Sequence, residues 1–143
     1  MLSFDTNLIV YAVNSDAPEC EPARAFLASL QARRDVAVCE LVLVEVYLII
    51  RNPRILKRPF GAAEAVKYCD AFRQNPNWLL VESASIMNEV WPVAGKSNFA
   101  FRRVIDARLA LTLRHHGIGE FATANEKDFG GFGFTRVWNP LKQ

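Results

Sequence analysis

Short apolar runs alternate along the chain with longer segments in which apolar residues recur every three or four positions. The short runs predict β-strands, because a strand buried on both faces is a nearly continuous apolar stretch. Turn residues such as the QNPN at 74–77 separate these runs from their neighbours. The predicted strands cover residues 2–5, 36–38, 78–81 and 121–123, with a short last strand around Val137.

The longer segments predict α-helices, since a spacing of three or four residues places apolar side chains on one helix face. Ala65, Val66, Cys69 and Phe72 are spaced in this way. The predicted helices begin near Asn7, extend from Pro18 or Pro22 to 32, and cover 41–51, 61–74, 85 onward with an interruption at Pro92, and 101–116 up to Gly117.

Strands that alternate with helices predict an α/β fold with a mostly parallel central sheet. Ligands of such sheets bind beyond the carboxyl ends of the strands. No internal repeat, low-complexity tract or linker divides the sequence, so we expect one domain over residues 1–143.

The composition is that of an ordinary globular protein, with 51% hydrophobic and 22% charged residues. A net charge of +2 is too small to indicate nucleic-acid or membrane binding by itself. Basic side chains nevertheless form two clusters, which are either solvated faces or surfaces for phosphates. The clusters are Arg51, Arg54, Lys57 and Arg58, and Arg102, Arg103, Arg108 and Arg114.

The cysteines and the N-terminus bear on the cellular compartment. Three cysteines without C-x-x-C spacing predict a reduced compartment rather than a disulfide framework or a zinc site. The N-terminus shows no basic region or cleavage site of a signal peptide. The longest apolar stretch, 36–50, contains Glu40 and Glu45 and is shorter than the roughly 18 residues of a membrane span. We expect a soluble, cytoplasmic protein without membrane association.

Four carboxylates stand where the apolar pattern predicts burial or a strand end. Asp5 ends the first strand, Glu45 lies within the apolar segment ELVLVEVYLII, and Asp128 follows the fourth strand. Asp106 shares a helical arc with Ile105, Leu109, Ala110 and Leu113, which points it toward the core.

Each carboxylate also has an ordinary structural explanation. Asp5 would cap the following helix, and Glu45 would lie partly exposed on a helix edge. Asp106 would pair with Arg102 or Arg103, three or four residues away. Asp128 would belong to a turn.

Taken together, the four acids predict a metal site, because unpaired carboxylates at one sheet edge repel one another unless a divalent cation neutralises them. Oxygen ligands with no His or Cys nearby favour Mg²⁺ or Mn²⁺, whose common use is phosphoryl transfer. His115 and His116 point about 100° apart on a helix end, so they suit the helix dipole better than a shared metal.

Four segments, in this order, resemble the PIN domain family and, within it, the VapC-type toxin ribonucleases of bacterial toxin–antitoxin pairs. The segments are FDTNLIVYAV, LVLVEVYLIIRNPRI, VIDARLALTLRHHG and FATANEKDFGGF, and the resemblance covers essentially the whole chain. It implies a three-layer α/β/α sandwich and Mg²⁺- or Mn²⁺-dependent endonuclease action on RNA. It also implies a homodimer and a VapB-type antitoxin whose tail blocks the acidic pocket.

The resemblance assigns roles to seven residues. Asp5 and Asp106 would be the principal metal ligands, and Glu45 and Asp128 would complete the set through waters or a second ion. Asn7, Thr123 and Asn125 would orient the carboxylates or the scissile phosphate. Many relatives carry an acid where this chain has Asn125, which leaves Asp128 as the fourth acid.

Single-stranded or loop RNA is the expected substrate, because base pairing hides the backbone geometry that such a site needs. Basic clusters would track the phosphates, and Trp or Phe rings could stack bases. Two rival functions remain open. A haloacid-dehalogenase-like phosphatase also places an Asp after its first strand, but it usually needs a second Asp where this chain has Asn7. A PIN-like module that binds RNA or protein without cutting would be expected to lose some of the acids.

Overall fold

Parallel strand pairs build the centre of the molecule, whose computed structural model describes residues 1–142. β1 pairs with β4 and β4 with β5, while β2 pairs with β3. A single parallel bridge between Leu2 and Val36 joins the two halves, which gives the order β3–β2–β1–β4–β5. The strands are β1 Leu2–Phe4, β2 Ala37–Cys39, β3 Leu79–Val81, β4 Glu120–Ala122 and β5 Arg136–Trp138.

Helices connect successive strands and pack in two groups. α1 packs against α2 and α3, α3 also packs against α4, and α5 packs against α6. The predicted α/β class with a parallel sheet is therefore confirmed. The helices are α1 Thr6–Val13, α2 Cys20–Leu30, α3 Glu40–Ile50, α4 Ala62–Arg73, α5 Met87–Ala94 and α6 Arg103–His115, with a 3₁₀ helix, η1, at Glu126–Phe129.

The core lies around β1, β2 and β4, whose residues are buried except for Glu120, which is partly exposed at the start of β4. Ser3 is the polar exception in β1, and its hydroxyl donates to the carbonyl of Ala37 at 2.7 Å. This hydrogen bond satisfies a buried polar group and ties β1 to β2 beside the single bridge. A smaller apolar cluster of Ile86, Val90 and Ala107 joins α5 to α6.

The structure differs from the sequence-based expectations at several places. Element ends shift by one or two residues, and α6 begins at Arg103 rather than at 101. Pro92 does not interrupt its helix but lies inside α5, two residues before the helix ends. Its ring is exposed, so the helix loses one hydrogen bond without a clash in the core. The sequence places Ile105 on the core-facing arc of α6 with Asp106, but Ile105 is 52% exposed. The buried face of α6 is therefore narrower than predicted.

Gly117 ends α6 with φ of +76°, a backbone conformation that favours glycine. The three cysteines are buried and free.

Within residues 1–142, no helix has the length and apolar character required to span a bilayer.

Candidate functional site

Three of the four predicted acids line one cavity of about 320 Å³. Asp5 lies at the junction of β1 and α1, Glu45 in the middle of α3, and Asp106 in the first turn of α6. The cavity is also lined by Thr6, Asn7, Val10, Tyr11, Ile49, Ile55 and Asn125. The sheet thus brings together carboxylates that lie up to 101 residues apart in the sequence, 5 to 106.

Both oxygens of Asp5 accept a hydrogen bond. The backbone N–H of Thr6 donates to Oδ1 at 2.8 Å, so Asp5 caps α1 as its ordinary structural explanation predicts. The hydroxyl of Thr123 donates to Oδ2 at 2.7 Å. Burial raises the pKa of Asp5, since the residue is only 8% exposed; the two hydrogen bonds act in the opposite direction. The carboxylate is therefore fixed in position and faces the cavity.

Thr123 is fully buried at the carboxyl end of β4 and connects Asp5 to both asparagines. Its Oγ1 accepts from the backbone N–H of Asn125 at 3.0 Å and from Asn7 Nδ2 at 3.5 Å. Asn7 Oδ1 in turn accepts from the backbone N–H of Ala124 at 3.3 Å. The structure therefore brings Asn7, Thr123 and Asn125 into one network behind Asp5.

Glu45 is partly exposed, as its ordinary explanation predicts, but neither Glu45 nor Asp106 has a counter-charge in contact. Burial, then the charges of Asp5 and Asp106, raise the pKa of Glu45 to about 7. Burial, then the charges of Asp5 and Asp128, raise the pKa of Asp106 to about 6, although Arg103 counteracts them. Within residues 1–142, neither carboxylate has a basic group within 4.0 Å. The predicted pairing of Asp106 with Arg102 or Arg103 is therefore not formed.

Asp128 lies near this site but not in the wall of the cavity. It belongs to η1, where its backbone N–H donates to the carbonyl of Asn125 at 3.1 Å. Its own carbonyl accepts from Arg103 Nη2 at 2.7 Å. The negative charge of Asp128 still raises the pKa of Asp5 and Asp106. The neighbouring Glu126 is held by Lys142 Nζ at 2.8 Å.

The chemistry of the donors fits a hard divalent cation. The cavity offers carboxylate and amide oxygens, and Thr6 adds a buried Oγ1 that has no hydrogen-bond partner within residues 1–142. The carboxylates are not drawn together around one point, however. In the described part of the chain, no group of three or more His, Cys, Asp or Glu side chains forms a metal cluster.

Two residues of the site were not singled out as site residues from the sequence. Thr6 stands between Asp5 and Asn7 in the D-T-N triplet, but nothing in that triplet shows that its hydroxyl is left without a partner. Arg103 was expected to pair with Asp106, and instead its guanidinium reaches the backbone of Asp128. That contact joins α6 to η1 across 25 residues of sequence, so the spacing of nearby residues could not predict it.

Comparison with known proteins gives concordant matches. The PIN domain family model matches residues 3–133. Ribonuclease VapC24 of Mycobacterium tuberculosis is 55% identical over 141 residues, which cover 99% of this chain and 97% of the relative.

Solved structures show the same fold at low sequence identity. The crystal structure of M. tuberculosis VapC20, a sarcin–ricin loop cleaving toxin, superposes with a TM-score of 0.63 at 17% identity and covers 94% of this chain and 97% of that one. FitAcB from Neisseria gonorrhoeae gives a TM-score of 0.62 at 22% identity, with both chains fully covered. The family match extends over most of the chain and the VapC24 match over nearly all of it, so the chain belongs to the PIN domain family and, within it, to the VapC-type proteins.

Proposed function

We propose that the protein is the toxin of a toxin–antitoxin pair, an endoribonuclease that cuts single-stranded or loop RNA with Mg²⁺ or Mn²⁺. One observation carries the proposal: Asp5, Glu45 and Asp106 converge from three elements on one cavity without basic partners within residues 1–142. Such an arrangement is unfavourable in an isolated fold and is expected where a cation is bound. The 55% identity to Ribonuclease VapC24 supports the same reaction.

Asp5 and Asp106 are the proposed principal ligands, with Glu45 and Asp128 completing the acidic set. A bound divalent cation would activate a water molecule and stabilise the leaving oxygen of the cleaved phosphodiester. Thr123, Asn7 and Asn125 form the hydrogen-bonded support that keeps Asp5 in one orientation. The Thr6 hydroxyl oxygen is buried and has no hydrogen-bond partner within residues 1–142.

Cleavage of a labelled RNA in Mg²⁺ or Mn²⁺ tests the reaction. We expect EDTA to stop cleavage, re-added Mg²⁺ or Mn²⁺ to restore it, and zinc to be unnecessary. Asp5→Asn should abolish cleavage. Glu89→Gln is a matched control, because Glu89 is an exposed acid on α5 outside the cavity. Cutting that needs no metal and survives in Asp5→Asn would exclude the mechanism.

A VapB-type antitoxin and a second copy of this chain are the proposed protein partners. Membership among the VapC-type proteins supports both assignments. Co-purification with the product of a neighbouring small gene, and the mass of the free protein by light scattering, test them separately.

The two rival functions are less well supported. A haloacid-dehalogenase-like phosphatase needs a carboxylate at Asn7, whose Oδ1 is instead occupied by the N–H of Ala124. A non-catalytic PIN-like module has no need for four acids, and all four are present. The cleavage assay distinguishes the non-catalytic module from the enzyme.

A further inference from the structure

A second cavity of about 310 Å³ lies between α5, α6 and the turn after η1. We name it the α5–α6 pocket. Its walls combine cationic side chains, aromatic rings and a stretch of backbone without side chains. The lining residues that matter here are Lys96, Phe99, Arg103, Gly130, Gly131 and Phe132.

Arg103 is the central group of this pocket. Its guanidinium carbon lies 5.7 Å from the ring centroid of Phe99 and 5.9 Å from that of Phe132. Nη2 donates to the carbonyl of Asp128, but the buried Nε has no hydrogen-bond partner within residues 1–142. Arg103 is held by one backbone contact and lies near two aromatic rings, and it brings a positive charge to the wall of the pocket.

The charge of the lining favours an anion. Lys96 supplies a second cation, and no acid lines the pocket in the described part of the chain. At Gly130 and Gly131 the wall of the pocket consists of backbone without side chains. Gly131 has φ of +87°, and a Cβ added there would meet nothing within 4 Å. A ligand can approach that backbone closely. Cations together with aromatic faces are the combination with which proteins bind single-stranded nucleic acid.

Two elements connect the α5–α6 pocket with the acidic residues. Arg103 precedes Asp106 by three residues, about 4.5 Å along α6. Gly130 follows Asp128 by two residues, at the end of η1. Because α6 carries residues of both places, an RNA strand with one phosphate at the acids can extend toward the pocket.

We propose that the α5–α6 pocket binds the RNA nucleotide that adjoins the cleaved phosphodiester. Lys96 and Arg103 bind its phosphate, and its base packs against the aromatic walls formed by Phe99 and Phe132. This assignment rests on the proposed ribonuclease function and specifies where the RNA next to the cleaved phosphodiester is bound.

Binding of a labelled, random-sequence single-stranded RNA of about 12 nucleotides tests the pocket, a length within the range of known single-strand sites. The measurement uses Asp106→Asn protein in Mg²⁺, in which cleavage is expected to be absent. Lys96→Ala should weaken binding and lower the slope of log affinity against log salt by about 0.7, the loss of one single-strand phosphate contact. Phe99→Leu should weaken binding with the salt slope unchanged, because it removes stacking and no charge.

Lys67→Ala is the matched control, since Lys67 is an exposed lysine on α4, outside the pocket. Arg103 is left intact because it also holds the Asp128 backbone. Lys96 is exposed, so its replacement should leave the melting temperature unchanged, and melting checks this for every variant. The proposal is overturned if Lys96→Ala and Phe99→Leu bind RNA with the affinity and salt slope of Lys67→Ala. Failure of the wild-type protein to cut RNA would instead refute the ribonuclease function, so the two failures are distinguishable.

Discussion

Asp128 and Glu126 are two residues apart on η1, but their side chains meet different surroundings. Glu126 is neutralised by Lys142, whereas the charge of Asp128 acts on Asp5 and Asp106. Asp128→Asn should therefore lower the cleavage rate at least tenfold, about 1.4 kcal/mol in the barrier. Glu126→Gln should leave the rate nearly unchanged. Single-turnover cleavage of the same RNA by both variants measures the difference, and the reverse result would move the fourth acid to Glu126.

Asp106 has no basic partner within 4.0 Å in the described residues, so its negative charge is expected to cost stability in metal-free protein. Asp106→Asn keeps the shape and removes the repulsion. We expect the metal-free variant to be as stable as wild type or more stable by up to ~1–2 kcal/mol. Cleavage should disappear, and the rise in melting temperature on adding Mg²⁺ should shrink.

Thermal melting of wild type, Asp106→Asn and the control Glu89→Gln, each with and without Mg²⁺, measures both effects. A metal-free Asp106→Asn protein that melts several degrees lower yet still cuts RNA would show that Asp106 supports the fold rather than the reaction.

The sequence located these acids through one physical argument, the cost of placing charge in apolar segments. It could not place Asp128 relative to the cavity, because η1 is held by a contact from Arg103 that lies 25 residues earlier. It could not separate the two roles of Asp5 either. Asp5 both caps α1 and faces the cavity, and a single carboxylate has enough lone pairs for the two tasks.

At the scale of elements, α3 is an apolar helix that carries a charged residue in partly buried surroundings. It is apolar along most of its length, yet it carries Glu45 half-buried beside two other acids. The pKa of Glu45 is raised from 4.5 to about 7, so the folded protein retains a proton that the unfolded chain releases between these values. The free energy of unfolding of the metal-free protein should therefore fall as pH rises through that window. Asp106 acts in the same direction from 3.8 to about 6.

Urea unfolding in EDTA at several pH values measures this slope. Glu45→Gln should flatten it and stabilise the metal-free protein most at pH values well above 7, where the wild-type carboxylate is charged. Glu89→Gln should retain the wild-type slope. A Glu45→Gln protein with an unchanged pH profile would contradict the assigned environment of α3.

The periodicity of apolar residues predicts which segments are helices and which are strands. It does not predict the residues at which they end, or which face of α6 is buried. Val36 forms a single bridge rather than part of a strand, because only the pair Leu2 and Val36 meets there. Ile105 belongs to an apolar helix pattern but is exposed, because α5 covers only part of α6 through Val90 and Ala107. Whether such a residue is buried depends on which element packs against it, and a single sequence does not identify that element.

For the whole molecule, the open acidic cavity predicts how an antitoxin inhibits. Converging carboxylates accept a guanidinium or ammonium group as well as a metal ion. We expect the antitoxin to insert an arginine or lysine near Asp5 and Asp106, and truncation of that side chain to weaken the complex by about 2 kcal/mol or more. Affinity titration with the truncated antitoxin measures this loss. A structure of the complex with the cavity empty would show that inhibition is purely steric.

The hydrogen bond from Thr123 to Asp5 joins residues 118 positions apart, and β1 lies beside β4, which is synthesised much later. At about 5–20 residues per second, the ribosome needs roughly 6–24 s to travel between the two. Throughout that interval the nascent chain has its first acid but lacks the partner that fixes it. A chain prematurely terminated before β4 would be unable to build the site. The topology thus delays the assembly of the acidic site until β4 has been synthesised.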